Sequence, residues 1–104
     1  LIAQPELIAM KPGALLINTA RGGLVNEADL VAALKYGQLG GAGVDVLSEE
    51  PPVNGNPLLK TRLPNLIVTP HISWASRQAM ERLAAQLVEN IGAFVAGESR
   101  NRLV

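Results

Sequence analysis

Apolar residues along the chain fall into three short unbroken runs and one long periodic stripe. The runs are "ALLIN" at 14–18, "GGAGVDVL" at 40–47 and "LIVT" at 66–69. Apolarity that continues over a few residues without alternating predicts strands buried on both faces, as in a parallel sheet. The stripe places Met80, Leu83, Ala84, Leu87, Val88, Ile91, Phe94 and Val95 at helical spacing, with Gln78, Glu81, Arg82, Gln86, Glu89 and Asn90 opposite. It predicts an amphipathic helix from about Trp74 to Ala96, stopped by Gly97.

Shorter signals fill the gaps. "PELIAM" at 5–10 reads as a short helix, with Pro5 at a first helical position and Glu6 at the positive end. "KPG" at 11–13 is a turn. Asn26 has the chemistry of a helix N-cap, with Glu27 and Asp29 in the first turn, and that helix runs to about Tyr36 before Gly37 ends it. A polar, proline-rich connection follows the second run and carries one helical turn at 57–60. The order is strand, helix, strand, connection, strand, helix, with no hairpin turns. It predicts an α/β fold of about three parallel strands with flanking helices. The strands' C-terminal ends then share one edge, where open α/β sheets bind ligands.

Composition narrows the partners. The 104 residues suffice for one small domain. Nine basic residues balance nine acidic ones, so nothing favours nucleic acid or an anionic membrane. The three aromatics, Tyr36, Trp74 and Phe94, make no base-stacking platform. Absence of cysteine excludes disulfides and thiolate metal sites and fits a reducing, cytoplasmic setting. No apolar run reaches the ~20 residues of a membrane span. The start lacks an initiator Met and the pattern of a signal peptide, so a fragment of a longer chain is expected.

The chemistry sits at the strand ends. Arg21 follows the first run, Asp45 lies near the end of the second with Glu49 and Glu50 beyond it, and Pro70 and His71 close the third. A guanidinium fork matches a carboxylate, an imidazole moves protons near neutrality, and a carboxylate beside it orients the ring. The set suits proton transfer to a carbonyl on an anionic substrate. It holds no nucleophile elbow, and a single histidine makes no metal cage. Plainer readings stand beside this one. Arg21 in a structural ion pair, His71 solvated, Asp45 capping a turn, Glu49 and Glu50 as a solvated pair, and Trp74 as a packing anchor at a helix start are all compatible with the pattern. A single "RGG" at 21–23 in a neutral chain is weak evidence for RNA binding.

The blocks "MKPGALLINTARGGLVNEADLVAAL", "GAGVDVLSEEPP" and "NLIVTPHISWAS" resemble, in order and spacing, the D-isomer-specific 2-hydroxyacid dehydrogenases. "HISWAS" is most similar to the glycerate dehydrogenase and hydroxypyruvate reductase branch. The resemblance implies that Arg21 holds the substrate carboxylate and keto oxygen, that His71 is the general acid/base, and that Glu50 pairs with it. It implies that Thr19, Ala20 and Ser73 lie close to an NAD or NADP nicotinamide whose carboxamide Asp45 meets. Trp74 stands where the family often has a small residue, so a narrowed substrate pocket is implied. No GxGxxG occurs; in the family it lies upstream. The implied division is 1–97 as the C-terminal half of the NAD(P)-binding domain, the second half of a Rossmann-like, doubly wound parallel sheet, and 98–104 as a tail towards an absent substrate domain. The implied reaction is hydride transfer between NAD(P)H and a small 2-keto or 2-hydroxy acid. The chain alone is then expected to be inactive and to form a homodimer or otherwise self-associate. A binding module that pairs through an exposed sheet edge, or a purely structural fragment, is the competing expectation.

Overall fold

The three apolar runs become one parallel sheet. In the computed structural model, which describes residues 1–103, the elements are α1 (Gln4–Ala9), β1 (Ala14–Asn18), a 3-10 turn (Gly22–Leu24), α2 (Glu27–Lys35), β2 (Leu39–Val44), α3 (Pro57–Lys60), β3 (Leu66–Val68) and α4 (Arg77–Val95). Val104, the end of the expected tail, lies outside the described residues. The strand order is β1-β2-β3, and Ile17, Gly43 and Ile67 stand side by side in the register. The chain divides into two units, Leu1–Ser73 and a second that begins at Trp74.

Local chemistry explains the helix limits. The Asn26 side chain accepts from the Asp29 N–H, as an N-cap should, and Gly37 leaves α2 at φ +75°. The Asn56 side chain accepts from Leu58 N–H and starts α3. The Gln38 amide donates to the Met10 carbonyl at 3.0 Å and the Ile8 carbonyl at 3.2 Å, closing the C-terminal end of α1. The long helix begins later than the apolar pattern suggests. Ser76 caps it by accepting from Ala79 N–H, so Trp74 lies in the preceding turn and not at a helix start.

The sheet is covered on one face only within the first unit. Leu7, Leu16, Leu30, Leu34, Ala42 and Val44 form the core between the sheet and the helices. On the opposite face Leu15 is 70% exposed, Ile17 69% and Ile67 68%. This corrects the expectation of strands buried on both sides, and topology supplies the reason. Both crossovers step in the same direction across the sheet, and right-handed crossovers in one direction place their helices on one face. A doubly wound sheet covers its other face only after the direction reverses. The stripe of α4 is likewise open, with Leu83, Leu87, Ile91 and Phe94 all exposed.

Candidate active site

Each strand empties onto the same edge, and each exit is organised by a polar side chain at or just past the strand's last residue. Asn18, buried at the end of β1, donates to the Arg21 carbonyl at 3.0 Å and accepts from Ala20 N–H at 3.1 Å. That folds Thr19, Ala20 and Arg21 into a tight exposed loop. Arg21 makes no ion pair among the described residues; its Nη1 donates to the Ala20 carbonyl at 2.7 Å. The structural ion pair that the sequence left open is absent there.

Asp45 follows β2 and is only 3% exposed. Its Oδ1 accepts from the Thr69 hydroxyl at 2.5 Å and from Ile72 N–H at 3.0 Å. Its Oδ2 accepts from the Ser73 hydroxyl at 2.6 Å and Ser73 N–H at 2.9 Å. Four donors around one buried carboxylate hold its pKa far below the usual range, the Ser73 hydroxyl contributing most and the Thr69 hydroxyl next, against the opposing cost of burial. The same bonds wrap residues 69–73 around Asp45. His71, inside that wrap, adopts φ +55°, a left-handed conformation unusual for a side chain this large. Asp45 is therefore a turn-holding residue, as one plain reading of the sequence had it.

His71 and Glu50 meet. Nδ1 of the ring lies 2.7 Å from Glu50 Oε2. Glu50 Oε1 accepts from Leu47 N–H at 2.7 Å. The Glu50 pKa is lowered, first by that Leu47 bond and then by His71, while burial and the charge of Asp45 push it up. Glu50 is thus an acceptor at neutral pH, and Nδ1 carries the hydrogen between them. Nε2 becomes the ring nitrogen turned away from Glu50. A largely apolar recess of about 440 Å³ borders the pair, walled by Leu47, Pro51, Pro52, Leu59, Val68 and Pro70. Glu49 is held elsewhere, by the Asn54 amide at 3.0 Å. Among the described residues no group of three or more potential ligands suits a metal ion.

The structure therefore joins Glu50 to His71, as the resemblance implied, and joins Asp45 to Ser73. Arg21 stands at the same edge at the end of β1, two strand spacings or roughly 10 Å from the end of β3. Trp74 belongs to the second unit. Two contributors escaped the sequence reading. Asn18 looked like the last residue of a strand, and Glu27 looked like a helix-dipole residue. Asn18 bonds within three residues, so a polar residue ending an apolar run was its available signal.

A profile described as "D-isomer specific 2-hydroxyacid dehydrogenase, NAD binding domain" matches residues 1–73. The chain is 59% identical over 101 residues to a glycerate dehydrogenase of Methylorubrum extorquens, covering 97% of this chain and 32% of that protein. It is 41% identical over 101 residues to a hydroxypyruvate reductase of Blautia hydrogenotrophica, covering 97% and 31%. Among solved structures, an acyclic imino acid reductase, Bsp5, in complex with NADPH and D-Arg superposes with a TM-score of 0.77 at 37% identity, covering 97% of this chain and 31% of that one. The chain thus spans about a third of the length of these relatives.

Proposed function

The chain belongs to the D-isomer-specific 2-hydroxyacid dehydrogenase family, in its NAD-binding domain, and from that premise we propose that its parent enzyme reduces a small 2-keto acid at the edge described above. Residues 1–97 are the second half of the dinucleotide-binding domain, and 98–104 lead towards a substrate domain. The observation that carries the reading is the 2.7 Å pairing of His71 with Glu50 beside strand ends that also present Arg21.

The roles follow from the chemistry. Arg21 offers its donor fork to the substrate carboxylate and polarises the keto oxygen. His71, its Nδ1 bound to Glu50, presents Nε2 to that oxygen and gives it a proton during reduction, or removes one during oxidation. Glu50 accepts from Nδ1 and so orients the ring. The exposed turn of Thr19 and Ala20 offers backbone groups to a flat nicotinamide amide. Asp45 and Ser73 stand beside it, though the Asp45 oxygens are already engaged by four donors. These residues fit the nicotinamide end of NAD or NADP only, since the chain holds no glycine-rich phosphate cradle. The bound dinucleotide supplies or accepts the hydride.

The glycerate dehydrogenase and hydroxypyruvate reductase similarities support hydroxypyruvate/glycerate or glyoxylate as substrates. The open apolar stripe of α4 supports a homodimeric parent, and the absence of cysteine supports a cytoplasmic one. The test is consumption of NADH and of NADPH by the purified parent enzyme with hydroxypyruvate, glyoxylate and pyruvate. Turnover with at least one acid, and none from residues 1–104 alone, is expected. A parent that oxidises neither dinucleotide with any of them overturns the reading.

A further inference from the structure

The loop that carries Glu50 is fastened at both ends to one carboxylate. Glu27, in the first turn of α2, accepts from Ser48 N–H at 2.8 Å on Oε1. Its Oε2 accepts from the Ser48 hydroxyl at 2.7 Å and from the Asn56 side-chain amide at 2.8 Å. Ser48 opens the loop and Asn56 closes it; Asn56 is buried and also caps α3 through its other atom. Three donors on two oxygens leave Glu27 more constrained than attraction to the helix dipole requires.

A second contact bears on the same peptide. A Cβ built on Gly22 would lie 2.0 Å from the Leu47 carbonyl carbon and oxygen and 2.4 Å from Ser48 N. The backbone next to Arg21 therefore rests directly on the Leu47–Ser48 peptide, at a distance open only to glycine. Leu47 N–H, from the adjoining peptide, is the donor that holds Glu50 Oε1. Gly22 thus presses on the Leu47–Ser48 peptide from the arginine side, Glu27 grips its Ser48 N–H, and Glu50 is bound one peptide earlier.

We propose that Glu27 is a positioning residue for catalysis: with Gly22 it clamps the Leu47–Ser48 peptide, setting the Glu50-bearing loop against the Arg21-bearing loop. Glu27 touches neither substrate nor cofactor in this role. It acts through Glu50, and so through the aim of His71. The inference rests on the function proposed above. A displacement of the order of an ångström at a proton-transfer group costs about 10²-fold in rate, so the clamp has a measurable consequence.

The experiment uses the full-length parent enzyme and its Glu27→Gln variant, which preserves size but offers one acceptor oxygen where two are needed. The expected result is a kcat for keto-acid reduction lowered about 10–100-fold, with the dissociation constant for NAD(P)H within about twofold of wild type. Amide exchange at Leu47 and Ser48 should quicken about tenfold or more, while the β2 amides hold their rates. A variant with kcat within about twofold of wild type overturns the proposal, as does a kcat loss matched by an equal loss of dinucleotide affinity. Should the variant not fold, the wild-type protein still decides: Leu47 and Ser48 amides exchanging as fast as open-loop amides overturn the clamp, and strong protection supports it. A wild-type parent with no reductase activity refutes the proposed function instead, a result distinct from any of these.

Discussion

Two loops at one sheet edge are built to different degrees of completion. The loop after β3 is wound around Asp45 by four hydrogen bonds, and its histidine is bound in turn to Glu50. The loop after β1 is turned by Asn18, and among the described residues the Arg21 side chain bonds only to the carbonyl of its neighbour Ala20. A proton-transfer group needs its partner within hydrogen-bond reach at the moment of reaction, so fixing it in advance helps. A carboxylate-binding guanidinium works by exchanging a weak contact for a stronger, charge-assisted one when the anion arrives. On the proposed function, the half that would move the proton is assembled within this stretch of chain, and the half that would grip the substrate is completed by the anion itself.

Substitutions in the parent enzyme test that division. The largest effect belongs to His71→Ala, expected to lower kcat by about 10²–10⁴-fold with dinucleotide binding retained; steady-state kinetics and dinucleotide fluorescence check both, and near-normal kcat would erase the distinction between the loops. Arg21→Lys keeps charge but loses the fork, so kcat/KM for the keto acid should fall about 10–100-fold, mainly through KM. A loss confined to kcat would place Arg21 in the pre-built half. Glu50→Gln should cost about tenfold in kcat. The lowered Glu50 pKa means that its ionised contribution is complete above about pH 4.5, the ordinary value, and is lost as pH falls through the lower native one. A pH profile of the glutamine variant should therefore lack that acid-side decline.

Asp45→Asn has the smallest expected consequence for rate and is read as stability. The depressed native pKa makes Asp45 stabilising in full above about pH 4, the unfolded value, with the benefit lost progressively as pH falls below it. Thermal unfolding should show the variant melting several degrees lower at neutral pH, and the gap should narrow in acid. A gap unchanged between neutral pH and strong acid would mean that the four donors do not depend on the charge.

Features resting on neighbours in sequence were legible from the start. The limits of β1, the Asn26 cap, the stop at Gly37 and the single turn at 57–60 all depend on residues within a few positions. The strand-end placement of Arg21, Asp45 and His71 was legible as well, because parallel topology delivers every strand's end to one edge. The Glu50–His71 pair needed resemblance to choose Glu50 over Glu49, since adjacent carboxylates look alike until one is taken by Asn54.

What tertiary structure alone decided lies at longer separations. The apolar runs suggested two covered faces, but both crossovers fall on one side and leave Leu15, Ile17 and Ile67 open. Glu27 reaches Ser48 and Asn56 across 21 and 29 positions, and Asp45 reaches Ser73 across 28. Periodicity records which side of an element faces inward and capping chemistry records where it ends, because both act within a few turns of the backbone. Neither records which distant donor fills a carboxylate, because that depends on loops brought together only after the sheet has formed.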